Sequence, residues 1–92
     1  MEKIKQYARL LYNLRAPVTL PGGMIMSARD CEGHMFLSVS CRAGDYGRTR
    51  IIYLERGWTR EEFVDTVVEM VVYIGKKYAE LKRIQKREVG NE

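Results

Sequence analysis

The densest apolar spacing in this 92-residue chain begins at Trp58. Thr59 can cap a helix by accepting from the backbone N–H of Glu62, and Glu62 can reach back to the N–H of Thr59. Trp58 before the cap and Phe63 one turn in have the spacing of a hydrophobic staple. From there the apolar residues fall on two adjacent stripes. Phe63, Val67, Met70 and Ile74 form one; Val64, Val68 and Val71 form the other, with Asp65, Thr66 and Glu69 on the polar strip. An apolar arc this wide touches two surfaces. After Gly75 only a narrow seam of Tyr78, Leu81 and Ile84 continues. A helix unbroken over 60–87 would be about 42 Å long. A compact body of this chain length is about 30 Å across. The end of the helix is therefore expected to overhang the body, bend at Gly75, or lie on a second subunit, with Tyr78, Leu81 and Ile84 as a dimer or partner interface.

Upstream, Ile4, Tyr7, Leu11 and Leu14 repeat at helical spacing and predict a first helix over Glu2–Arg15. Pro17 ends it, and Pro21-Gly22-Gly23 reads as a turn. Met24–Arg29 is expected to be a strand, followed by a turn over Asp30–Gly33 in which Gly33 takes a positive φ. His34–Arg42 alternates cleanly. Met35, Leu37, Val39 and Cys41 point one way, and His34, Phe36, Ser38, Ser40 and Arg42 the other. A glycine-bracketed loop over 43–47 leads to a third strand, Arg48–Leu54. The expectation is one α+β domain over 1–92 with the order α-β-β-β-α: a three-stranded antiparallel meander with a long C-terminal helix packed on one face.

Charge adds to this picture because it is uneven. The net charge is +4 and the pI about 9.2. Lys3, Lys5, Arg9 and Arg15 face only Glu2 in the first helix; Lys76, Lys77, Lys82, Arg83, Lys86 and Arg87 are opposed in their span only by Glu80. Two basic segments favour an anionic partner. The basic first helix could also lie on a membrane surface, but its single apolar stripe is better used on the body of the protein. The charged N-terminus lacks the apolar stretch of a secretion signal. No apolar run approaches the roughly 18 residues that cross a bilayer. A soluble, cytoplasmic protein with no membrane partner is expected. Few Asn and Gln beside many charges lean toward a heat-adapted source. Cys31 and Cys41 would stand about 20 Å apart along a strand, too far for a disulfide, so two reduced thiols are expected.

The candidate chemistry lies on the polar face of the sheet. Phe36 with His34, Ser38, Ser40 and Arg42, joined by Arg29 from the neighbouring strand and by Tyr46, Arg48 and Arg50 just beyond, suits a single-stranded nucleic acid. Rings stack on bases, cations meet phosphates, and hydroxyls bond to either. Cys31, His34 and Cys41 lack the spacing of a zinc site. His34 has no evident nucleophile or orienting carboxylate, and no phosphate-binding glycine motif is present. Neither metal, cofactor nor enzymatic activity is expected. Tyr73-Ile74-Gly75 matches half of the GIY-YIG nuclease signature, but the preceding half is absent.

The order α-β-β-β-α is similar to that of the double-stranded-RNA-binding domain. There the second helix opens with lysines that grip phosphate; here Arg60, Glu61 and Glu62 hold that place, and carboxylates repel phosphate. Thr59-Arg60-Glu61-Glu62-Phe63 resembles the helix opening of the transcriptional coactivator family named positive cofactor four, and Gly47-Arg48-Thr49-Arg50 resembles that family's basic loop. The likeness covers roughly residues 24–75. It departs in an added first helix, one strand fewer, and an extra Glu55-Arg56-Gly57-Trp58 before the cap. It implies a homodimer that binds single-stranded DNA. The expectation is thus a small basic homodimer binding single-stranded DNA or RNA through Arg29, Phe36, Arg42, Tyr46, Arg48 and Arg50. The alternative is a non-enzymatic interaction module, such as a small viral or accessory protein, docking through its long C-terminal helix.

Overall fold

Alternation decides the middle of the chain, and the computed structural model shows how. It describes residues 2–90, with side chains described over 2–87. The elements are α1 (Glu2–Leu14), β1 (Val18–Thr19), β2 (Ile25–Cys31), β3 (His34–Ala43), β4 (Tyr46–Leu54) and α2 (Arg60–Gly90). The strands form one antiparallel sheet in the order β1-β2-β3-β4. The α+β meander is as expected, but it has four strands and not three. The added strand is Val18–Thr19, pairing with Met26 and Ile25. A two-residue strand between Pro17 and Pro21 is too short to show a period.

Both connections between the long strands are two-residue turns. Glu32 and Gly33 have φ of 54° and 87°, which is the pattern of a type I′ hairpin. Gly44 takes φ 61° at the first position of the β3–β4 turn, as type II′ requires. This second turn is tighter than the expected loop over 43–47. Ala43 pairs with Tyr46, and the register runs on through Cys41–Arg48 and Val39–Arg50. Residues opposite one another share a face. Tyr46, Arg48 and Arg50 therefore start on the side of Ala43, Cys41 and Val39, which is the buried side.

That side is covered by the two helices. α1 lies against β1 and β2, and α2 lies against β3, β4 and α1. Both stripes of α2 are buried, from Phe63 to Ile74 and from Val64 to Val71. Its two surfaces are the sheet and α1. The Thr59 half of the expected capping box forms: Glu62 N–H donates to Thr59 Oγ1 at 3.1 Å. The Trp58 and Phe63 rings sit 5.7 Å apart, and Tyr12 of α1 meets both edge-on. Trp58 Nε1 donates to Gly33 O at 3.1 Å, and Arg56 Nε donates to Glu32 O at 2.8 Å. The start of α2 is thus pinned to the β2–β3 turn. In α1 the buried residues are Ala8 and Leu11, while Leu14, expected on the inner stripe, is exposed.

The far half of α2 differs from expectation. It continues through Gly75 as one helix, and Leu81 is covered by its own chain. A ten-residue β3 is about 33 Å long, and α2 from Arg60 to Gln85 spans about 38 Å. The helix runs the length of the β3–β4 hairpin, and Gln85 lies where a Cβ on Gly44 would be. The body is elongated, 52 × 26 × 18 Å, rather than round. Leu81 is 2% exposed within its own chain. Tyr78 Oη donates to Gly22 O at 2.9 Å. Of the expected partner seam of Tyr78, Leu81 and Ile84, only Ile84 remains exposed.

Two substitutions test this packing by urea unfolding. Leu81→Ala should cost about 2–5 kcal/mol, the range for truncating a buried leucine; a seam reserved for a partner would lose almost nothing. Gly75 lies mid-helix with ordinary van der Waals space at its Cβ position, 3.9 Å from Met24 Cε. Gly75→Ala should therefore stabilise by about 0.5–1 kcal/mol, and a loss of stability would show that the helix bends there.

Candidate nucleic-acid interface

The outer face of the sheet carries no helix, and the strand register lays its side chains in rows. At one end Cys31 pairs with His34. Next come Arg29, Phe36 and Tyr53 in one row across three strands, then Ser27, Ser38 and Ile51, then Ile25, Ser40 and Thr49. Arg42 opposite Gly47 closes the far end. Successive rows are about 7 Å apart. Arg29 and Arg42 therefore stand about 20 Å apart along the strands.

This face mixes open apolar side chains with polar ones. Phe36 is 40% exposed and Tyr53 45%, with Ile25 and Ile51 also open. The Phe36 and Tyr53 rings meet at 4.5 Å between centroids in a T-shaped pair, and His34 stacks on Tyr53 at 5.0 Å and 18°. Three rings thus form one cluster at the β2–β3 end. The His34 Nδ1 atom is buried without a hydrogen-bond partner. Ser27 and Ser38 hydroxyls bond to each other across the strands. A depression of about 410 Å³ lies beside the rings, bounded by Ser27, Arg29, Cys31, Phe36, Ser38 and Ile51. A second, of about 380 Å³, lies at the other end between Ile25, Ser40, Thr49, Arg42 and Arg48, with Asp45 on its rim.

The expected site residues divide. Arg29, Phe36 and Arg42 stand on the outer face as read. Arg48 belongs by register to the helix side, but it lines the second depression and donates from Nη1 to Gly47 O at 2.9 Å. Arg42 Nε donates to Gly44 O at 3.1 Å, so both guanidiniums are anchored to the same hairpin end. Tyr46 is half-buried against the core. Arg50 is on the opposite side of the sheet, its guanidinium 4.5 Å above the Tyr73 ring of α2. The reading of Tyr46, Arg48 and Arg50 as neighbours of Phe36 on one face is corrected by the two-residue turn, because a shift of one residue exchanges the faces. Tyr53 was the residue missed. Its place in the apolar run Ile51–Leu54 hid that it alternates outward.

The basic helical segments lie behind the sheet. Arg9 pairs with Glu2 at 3.4 Å, Arg15 folds over Tyr12, Trp58 and Phe63, and Lys82 lies 4.3 Å from the Tyr78 ring. These cations serve the helix layer. The apolar excess of α2, from which a homodimer was expected, is largely covered within the chain. No group of acidic, His and Cys side chains able to hold a metal occurs among the described residues. No helix among them is long and apolar enough to cross a membrane.

The chain matches no family model, no curated protein and no solved structure.

Both thiols are free, Cys31 exposed on the outer face and Cys41 buried on the other. A thiol reagent should titrate one cysteine in the folded protein and a second on unfolding. Two fast-reacting thiols would show that the helix layer does not cover β3.

Proposed function

We propose that this chain is a small, basic, non-enzymatic nucleic-acid-binding protein that receives a single strand on its outer sheet face. The row Arg29–Phe36–Tyr53 carries the reading: two adjacent exposed rings with a guanidinium in register beside them. An open β-face bearing neighbouring rings is a platform for unpaired bases, since every base has a π-face to offer. Arg29 at one end and Arg42 with Arg48 at the other are set to meet phosphates, and the serine and threonine rows between them offer hydroxyls to bases or sugars. A duplex hides its base faces, so rings on a gently twisted sheet favour the unpaired strand.

The likeness to the positive cofactor four family points the same way. The run Gly47-Arg48-Thr49-Arg50 lies inside β4 rather than in a loop, so that part of the likeness is one of sequence alone. The alternative of docking through α2 loses its main support, because Leu81 and Tyr78 are used within the chain. An exposed free thiol suits a reducing compartment, and we place the protein in the cytoplasm.

Fluorescence anisotropy with labelled single- and double-stranded oligonucleotides at low salt tests the proposal. The expected result is micromolar-range binding that prefers the single strand and weakens steeply with salt. Phe36→Ala and Tyr53→Ala should each weaken it by about tenfold, within the 1–3 kcal/mol range of one base–aromatic stack. Absence of binding to either strand type, or binding indifferent to losing both rings, retires the reading.

A further inference from the structure

The outer face leaves one assembled cluster unused. β4 is the last strand of the sheet, so its outer edge is unpaired. Just behind that edge, on the helix side, Arg50 lies over the Tyr73 ring at 4.5 Å, and Lys77 lies 5.6 Å from the same ring. Two cations thus converge on a single tyrosine that is itself 42% exposed. Glu80 pairs with Lys77, its carboxylate 3.8 Å from Nζ in an exposed pair, and Glu69 stands one turn before Tyr73 on α2. Arg50 Nε is buried and has no hydrogen-bond partner. The Nε edge of this guanidinium is thus desolvated without a compensating bond, and like charges crowded at one point raise the local potential for an anion.

We infer that Arg50, Lys77 and the Tyr73 hydroxyl form a phosphate-binding subsite on the helix side of the β4 edge, serving the same strand that crosses the outer face. This inference rests on the proposed single-strand reading. Tyr53 faces outward and Arg50 inward on the same strand, three residues or about 10 Å apart. A flexible single strand leaving the Phe36–Tyr53 rings has only one strand edge to round before reaching Arg50. Tyr73 holds the guanidinium in place through its ring and offers its hydroxyl as a donor. Inward cations on an edge strand also deter pairing with another sheet. That role alone needs neither Tyr73 nor Lys77 at the same point.

Two measurements test the subsite. In the first, the salt dependence of oligothymidylate binding is compared for the wild type, Arg50→Gln, Lys77→Gln and Arg9→Gln. Each phosphate contact contributes about 0.7 to the slope of log affinity against log salt for a single strand. Arg50→Gln and Lys77→Gln should each lower the slope by about that amount. Arg9→Gln, beside the start of α2 and away from β4, should leave it unchanged, and Phe36→Ala should weaken binding at unchanged slope. Lys77 is partly solvent-exposed, so its variant reports even where Arg50→Gln disturbs packing. In the second, inorganic phosphate is titrated while the Arg50 Nε–H resonance is followed by NMR. A saturable shift, absent in Lys77→Gln, is expected. Wild-type slopes in both variants, or no phosphate-dependent shift, overturn the subsite even if oligonucleotides bind the sheet. A phosphate shift without oligonucleotide binding overturns the shared-strand path and the sheet-face reading together.

Discussion

Burial of the two apolar stripes of α2 is the constraint on which the rest of this molecule depends. Seven side chains from Phe63 to Ile74 leave water at once, against the sheet on one flank and α1 on the other. At roughly 1.5–3 kcal/mol for each buried aliphatic or aromatic side chain, this is the largest single apolar contribution the chain can make. It is directional in its consequences. A helix fixed at one end by the Thr59 cap and the Trp58–Gly33 bond, and at the other by Gln85 over the Gly44 turn, must lie along β3 and β4. With α1 filling the space above β1 and β2, all helical mass is on one side. The other side of the sheet is covered by no helix among the described residues.

The open face follows from the same geometry. β3 turns Met35, Leu37 and Val39 toward the helices, so Phe36, Ser38 and Ser40 turn away. The two-residue turns then decide what joins them. Arg29 and Tyr53 come into the Phe36 row, and Arg50 goes to the opposite side. The proposed binding chemistry is thereby divided between the rings in front and the Arg50–Lys77 pair behind one edge. Edge strands need some defence against pairing with other chains. On β4 the inward Arg48 and Arg50 suit that need, and the proposed subsite uses Arg50 a second time.

Much of this was legible in the residues, for physical reasons that differ by element. The start of α2 was plain because three short-range signals coincide at Trp58, Thr59 and Phe63, and local signals depend little on the rest of the fold. β3 was plain because its alternation is strict. The face assignment of β4 was not. It depends on the parity of one turn inside a segment with two glycines and an aspartate, where several loop lengths are compatible with the residues. Tyr53 was hidden for the same reason. The fate of Leu81 was ambiguous in a different way. A leucine on a narrow seam reads equally as partner surface or as core, and the outcome turned on the length of the hairpin beneath it. A round body of this mass would have left half of the helix overhanging; the long hairpin underlies it as far as Gln85. β1 is too short to carry a period at all.

The most direct test of the one-sided arrangement is NMR line broadening by a water-soluble gadolinium chelate. Ring protons of Phe36 and Tyr53 should broaden strongly, while methyl protons of Leu37, Val67 and Leu81 should stay sharp. If the two rings are shielded as well as Leu37, or if Leu81 broadens with them, α2 does not lie where this fold places it and the sheet has no open face to offer.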